Sequence, residues 1–151
     1  MWRLLEDVAG LERRVGALYE RYAELFQHAP QAAAFWREMA GEERVHALVV
    51  AAAREVFPAT APALPGEWTV QLKGIERLLG ELESRAGAGL ALEEAFAAAE
   101  ELEATELNTV TQLIVRHAGR GFARLGPLVN DAGVDQHHQR MAEARRRFCA
   151  A

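Results

Sequence analysis

Glu43 and His46 put a carboxylate and an imidazole three positions apart, within the run Met39-Ala40-Gly41-Glu42-Glu43-Arg44-Val45-His46. On a helix that spacing projects both from one face, where a carboxylate oxygen and a ring nitrogen can share one ion. Stepping outward in threes and fours gives Ala32, Trp36, Met39, Glu43, His46, Val50, Ala53 and Phe57, a stripe apolar at both ends and polar only in the middle. On an exposed face the pair would be an ordinary solvated contact. On a seam, a carboxylate must be paired, protonated or bound to a metal, because stripping water from a lone charge is costly.

Three other stretches repeat the pattern. From Trp2 to Gln27 the apolar positions are Leu5, Val8, Val15, Tyr19, Tyr22 and Phe26, and Glu12 fills the seam position they skip. A third long helix is expected from Ala91 to His117, with Leu92, Phe96, Ala99, Glu103, Glu106, Val110, Leu113 and His117 on its seam. The last, opened by Pro127, carries Leu128, Asp131, Asp135, His138, Ala142, Arg145 and Cys149. The halves match in register: Glu43 follows Glu12 by 31 residues, Asp135 follows Glu103 by 32, and both motifs are preceded by Ala-Gly, at Ala40-Gly41 and Ala132-Gly133. Two helices giving one Glu each and two giving an acid-x-x-His each form a recurrent recipe for a dinuclear site inside a four-helix bundle. Glu12, Glu43, Glu103 and Asp135, with His46 and His138, would supply the negative charge and neutral nitrogen that suit two iron or manganese ions. Glu106, one turn beyond Glu103, is a candidate seventh ligand. Tyr19 leans back toward Glu12 and is a candidate hydrogen-bond donor to a site carboxylate. His28, His117 and His137 are set aside, His137 because it should point about a third of a turn away from the His138 seam.

These positions need helices to hold them, and the composition provides them. The 151 residues are 50% hydrophobic and only 7% aromatic, rich in Ala, Leu, Glu and Arg, which favours an all-α chain forming one domain over 1–151. Pro58, Pro62, Pro65 and Gly66 mark a connection, and Trp68 to Arg85 reads as one more helix in a long crossover, with Val70, Ile75, Leu78, Leu79 and Leu82 as its apolar face and Gly87 and Gly89 at its end. Gly119 to Gly126 lacks the preceding strand and Lys-Ser/Thr ending of a phosphate loop and reads as a helix connection. No apolar run approaches the ~18 residues of a membrane span. The net charge of -5 argues against a broad nucleic-acid footprint, with Arg145-Arg146-Arg147 read as a helix end. Cys149 is the sole cysteine, which excludes an internal disulfide and Cys-x-x-Cys sites. Acids at Glu6 and Asp7 stand where a secretory signal would be apolar, so the expected compartment is the cytoplasm.

Leu11-Glu12 with Tyr19, the Met39 to His46 run, Ala95 to Glu103 with Glu106, and Asp135 with His138 together resemble the rubrerythrin branch of the ferritin-like superfamily. The resemblance spans nearly the whole chain. It implies a ferritin-like four-helix bundle, a di-iron site, oxidation of ferrous iron by hydrogen peroxide or dioxygen, and a homodimer. Asp135 stands where that branch usually has Glu, and Val110 replaces the aromatic that would mirror Tyr19. The cysteine-rich electron-transfer module of full rubrerythrins has no counterpart in this sequence, so turnover would need an external electron donor. Three other readings stand beside it: a bundle that binds or handles iron without catalysis, manganese-dependent peroxide disproportionation on the same ligands, and a regulatory or assembly module whose site has decayed at Asp135 and holds no metal.

Overall fold

The computed structural model describes residues 2–56, 67–105 and 134–149, apart from the side chains of residues 2, 54–56, 67–69, 134–136 and 138. These residues form helices α1 (Trp2–Leu25), α2 (Pro30–Val56), α3 (Glu67–Ala88), α4 (Leu92–Glu103) and α5 (Val134–Cys149), with no strand among them. The protein is all-α over this range. No described helix is long and apolar enough to cross a membrane.

Helices α1 and α2 form an antiparallel hairpin, the most extensive pairing among the described helices. Their connection is a tight turn in which the Ala29 N–H bonds to the Phe26 carbonyl at 2.9 Å. Pro30 then opens α2, where its fixed φ suits a first helical position and its missing N–H costs nothing. Leu5, Val8, Glu12, Val15, Tyr19, Tyr22 and Phe26 of α1 are all buried, as are Ala32, Trp36, Met39, Glu43, His46, Val50 and Ala53 of α2. Gly16 lets the two backbones close up beside Glu43: a Cβ on it would stand 3.3 Å from both the Ala40 carbonyl oxygen and Glu43 Cβ.

Helix α3 packs on α1, and Arg14 reaches across to grip Glu83 through Nε at 2.9 Å and Nη2 at 2.7 Å. Its buried face is Leu72, Ile75, Leu79, Leu82 and Ala86, whereas Val70, expected on that face, is 72% exposed. The helical period explains the difference, since Leu72 is one turn before Ile75 and Val70 falls on the opposite side. Gly89 ends the segment with φ +87°, the left-handed conformation glycine adopts most readily.

Helix α4 begins with the Glu94 carboxylate accepting the Ala91 N–H at 2.7 Å. Its described part ends at Glu103, where the Thr105 N–H bonds to the Leu102 carbonyl in a tightened turn, and the rest of the expected span to His117 lies outside the described residues. The expected features at Phe57, Pro58, Pro62, Pro65, Gly66, Glu106, Val110, Leu113, His117, Gly119 to Gly126, Pro127, Leu128 and Asp131 lie outside the described residues.

Helix α5 corrects the expected seam. His137, Met141 and Ala144 are buried and Phe148 packs on the core, while Arg145 lies partly exposed and bridges Glu100 at 2.7 Å and Glu93 at 3.3 Å on α4. Burying Met141 and Phe148 gains apolar contact, whereas burying Arg145 would strip a charge of water.

Candidate metal centre

The centre forms where the polar middles of the seams meet. From α2, His46 Nδ1 lies 3.0 Å from Glu43 Oε2, the contact that three-residue spacing on one helix face allows. From α5, His137 Nδ1 comes within 3.3 Å of Glu43 Oε1 and 3.5 Å of Glu103 Oε2, and its Nε2 lies 2.6 Å from Glu42 Oε2. The two imidazole rings are 5.1 Å apart between centroids. From α1, the Tyr19 hydroxyl donates a 2.5 Å hydrogen bond to Glu103 Oε1. One ligand atom each from Glu43, His46 and His137 lies within 4.8 Å of the others, and all three residues are buried.

Beside this group the buried rings of Tyr22, Trp36 and Phe96 form an apolar block, with Trp36 4.6 Å from Phe96 and 5.0 Å from Tyr22 between centroids. Trp36 also sits 5.5 Å from the Tyr19 ring, so the block closes the side of the centre on which Tyr19 stands. On the other side the centre reaches the surface through Glu42, which Arg140 Nη1 holds at 2.6 and 2.7 Å.

Electrostatics here are set by carboxylates crowding imidazole. Burial alone would push the Glu43 carboxyl up, but His137 and His46 outweigh it and hold it at about 2. Burial alone would lower His137, but Glu103, Glu42 and Glu43 raise it to about 12. Burial, then the charges of Glu103 and Glu43, keep Tyr19 well above the usual phenol range, so it stays a donor. A centre that forces a proton onto imidazole wants positive charge, and a divalent ion would provide it. The donor set fits one: Glu43 Oε1, His46 Nε2 and His137 Nδ1 are buried with no hydrogen-bond partner of good geometry. Together they offer the oxygen and nitrogen ligands that iron and manganese take.

Of the residues the sequence singled out, Glu43 and His46 lie in the three-residue group, Glu103 borders it, and Tyr19 is bonded to Glu103. Glu12 is buried on the α1 seam. Glu106 and the side chains of Asp135 and His138 lie outside the described residues. His137 is the correction: rather than pointing away, it faces Glu43 and Glu103. The stripe His137, Met141, Ala144 and Phe148 carried the signal for it, at helical spacing and more apolar than the stripe through Arg145. Glu42 was missed as well, and no local pattern marks it, because its partners come from α5. Among known proteins, no family model matches the chain, no curated protein is detectably similar to it, and no solved structure matches its fold.

Proposed function

We propose that this chain is a ferritin-like di-iron carboxylate protein of the rubrerythrin type, which oxidises ferrous iron with hydrogen peroxide or dioxygen. The observation that supports this reading is the buried convergence of Glu43, His46 and His137 within 4.8 Å. Glu103 and Glu12 add buried carboxylates for a second ion, and Glu106 and Asp135 complete the ligand set of this reading. A ferrous pair held by these residues would supply the two electrons that, with two protons from water, take peroxide to two waters, and an electron donor outside the chain would return them. The protein's own groups have separate tasks. Glu43 and Glu103 carry the negative charge that offsets bound cations, Tyr19 orients Glu103 through its O–H, and the Trp36 block excludes water beside Tyr19. Manganese fits the same donors, and a homodimer goes with the same reading.

A second reading is favoured by the make-up of the convergent group. One carboxylate and two imidazoles suffice for a single ion, so the chain would be a non-catalytic metal-binding or iron-handling bundle. Elemental analysis after anaerobic ferrous reconstitution separates the two, performed on the native sequence and on a Glu43→Ala, His46→Ala double variant. Two irons per chain, lost in the variant, followed by many cycles of peroxide consumption, support the redox protein. One iron per chain and a single round of oxidation support the holder. No iron in either protein sinks both.

A further inference from the structure

Glu42 occupies a place no spacing rule anticipates. Its carboxylate is a quarter exposed, with one face toward solvent and the other toward a histidine that is 1% exposed. From outside, Arg140 Nη1 contacts both of its oxygens, at 2.6 and 2.7 Å, while Arg140 Nη2 reaches on to Glu38 at 2.8 Å. From inside, Glu42 Oε2 stands 2.6 Å from His137 Nε2. The contact is short without being a well-directed hydrogen bond, the loose alignment that often tightens when a site is filled. His137 thus has its two nitrogens in different company: Nε2 meets one carboxylate anchored from the surface, and Nδ1 faces Glu43 and Glu103 in the interior.

A metal-bound histidine almost always donates its other ring N–H to a carboxylate, carbonyl or water, and that partner fixes both tautomer and ring orientation. We propose that Glu42, clamped by Arg140, is the positioning residue of the metal centre: it takes the Nε2–H of His137 and so commits Nδ1 to the metal beside Glu43. The inference rests on the metal-binding reading of the same centre. It adds which nitrogen of which histidine binds, and what holds it there. Arg140 serves by holding the Glu42 carboxylate aimed inward. Outer partners of this kind are worth about 10- to 100-fold in metal affinity.

The test is cobalt(II) titration followed by its visible bands, on the native sequence and on Glu42→Gln, with long-range proton–nitrogen NMR of the zinc-loaded native protein. Glu42→Gln keeps the shape of the side chain and removes its charge. It is expected to bind cobalt at least about tenfold more weakly, with shifted bands and an unchanged helical circular dichroism spectrum. The zinc-loaded protein is expected to carry the His137 proton on Nε2. Native affinity and bands in Glu42→Gln, or a proton on Nδ1, would overturn the proposal while leaving the metal centre standing. Absence of cobalt uptake by the native sequence would instead remove the centre and the proposal with it. Should Glu42→Gln fail to fold, Arg140→Ala tests the same clamp from its exposed end, where weaker binding with shifted bands supports the proposal and unchanged binding overturns it.

Discussion

The Tyr19 hydroxyl and the Glu103 carboxylate meet at 2.5 Å, tying α1 to α4 across 84 residues of sequence. Both groups are buried, and a hydrogen bond to a carboxylate in such surroundings contributes about 2 kcal/mol. Tyr19→Phe deletes only the oxygen, so urea unfolding should show a loss of about 2 kcal/mol with native helical content. A variant as stable as the native sequence would mean that Glu103 does not depend on Tyr19 for its position.

The close approach at Gly16 makes a paired prediction. Alanine normally gains about 1 kcal/mol over glycine inside a helix. At Gly41, where an added Cβ meets nothing within 4 Å, Gly41→Ala should collect that gain. At Gly16 the methyl would press on the Ala40 carbonyl oxygen at 3.3 Å, backbone that moves only if α2 moves, and Glu43 would move with it. Gly16→Ala should therefore be less stable than Gly41→Ala by about 2 kcal/mol and bind metal more weakly. Thermal melts of the two single variants decide it, and equal melting temperatures would dismiss the steric argument.

Where stripes were long and bulky, the sequence could be read directly. Burying Trp36, Tyr19, Tyr22 and Phe26 leaves α1 and α2 little rotational freedom, and the acids at Glu12 and Glu43 go inward with them. Helix α5 offered two stripes one residue apart. The repeat of acid-x-x-His favoured the one through His138, but the chain buries Met141 and leaves Arg145 to pair with Glu93 and Glu100. The desolvation cost of burying Arg145 outweighs the repeat of the motif. Val70 departs from expectation for a related reason, since it is apolar yet stands on the far side of α3 from Ile75 and Leu79. The Glu42 role had no local trace at all: Arg140, which holds it, is 98 residues away, and only tertiary packing brings the two together.

The pH dependence follows from two opposed shifts. Glu43 is held at about 2, below its ordinary 4.5, so its contribution to stability is present above pH 4.5 and is lost as pH falls through 2. His137 is raised to about 12 from 6.5, so its contribution is full below pH 6.5 and is lost as pH rises through 12. Both act together between these ordinary values, and without metal the protein should be most stable there, with an acid limb that Glu43→Gln removes. Metal must displace the His137 proton, so affinity should climb with pH, by up to about tenfold per unit. Cobalt titrations at about pH 6 and pH 8 read this directly, and equal affinities would show that His137 surrenders no proton.

The choice between neighbouring histidines is the sharpest check on the centre. The sequence repeat puts His138 opposite His46, while the structure brings His137 against Glu43 and Glu103. His137→Ala removes a nitrogen that lies within 4.8 Å of the Glu43 and His46 donors, and it leaves buried carboxylates without their cation. Two effects should follow: cobalt affinity falls by at least tenfold, and metal-free stability drops by about 3 kcal/mol, the cost of breaking a buried charge pair. His138→Ala should cost less on both counts. If His138→Ala instead abolishes binding while His137→Ala retains it, α5 presents the other stripe to the metal, and the register derived from Met141 and Ala144 must be abandoned.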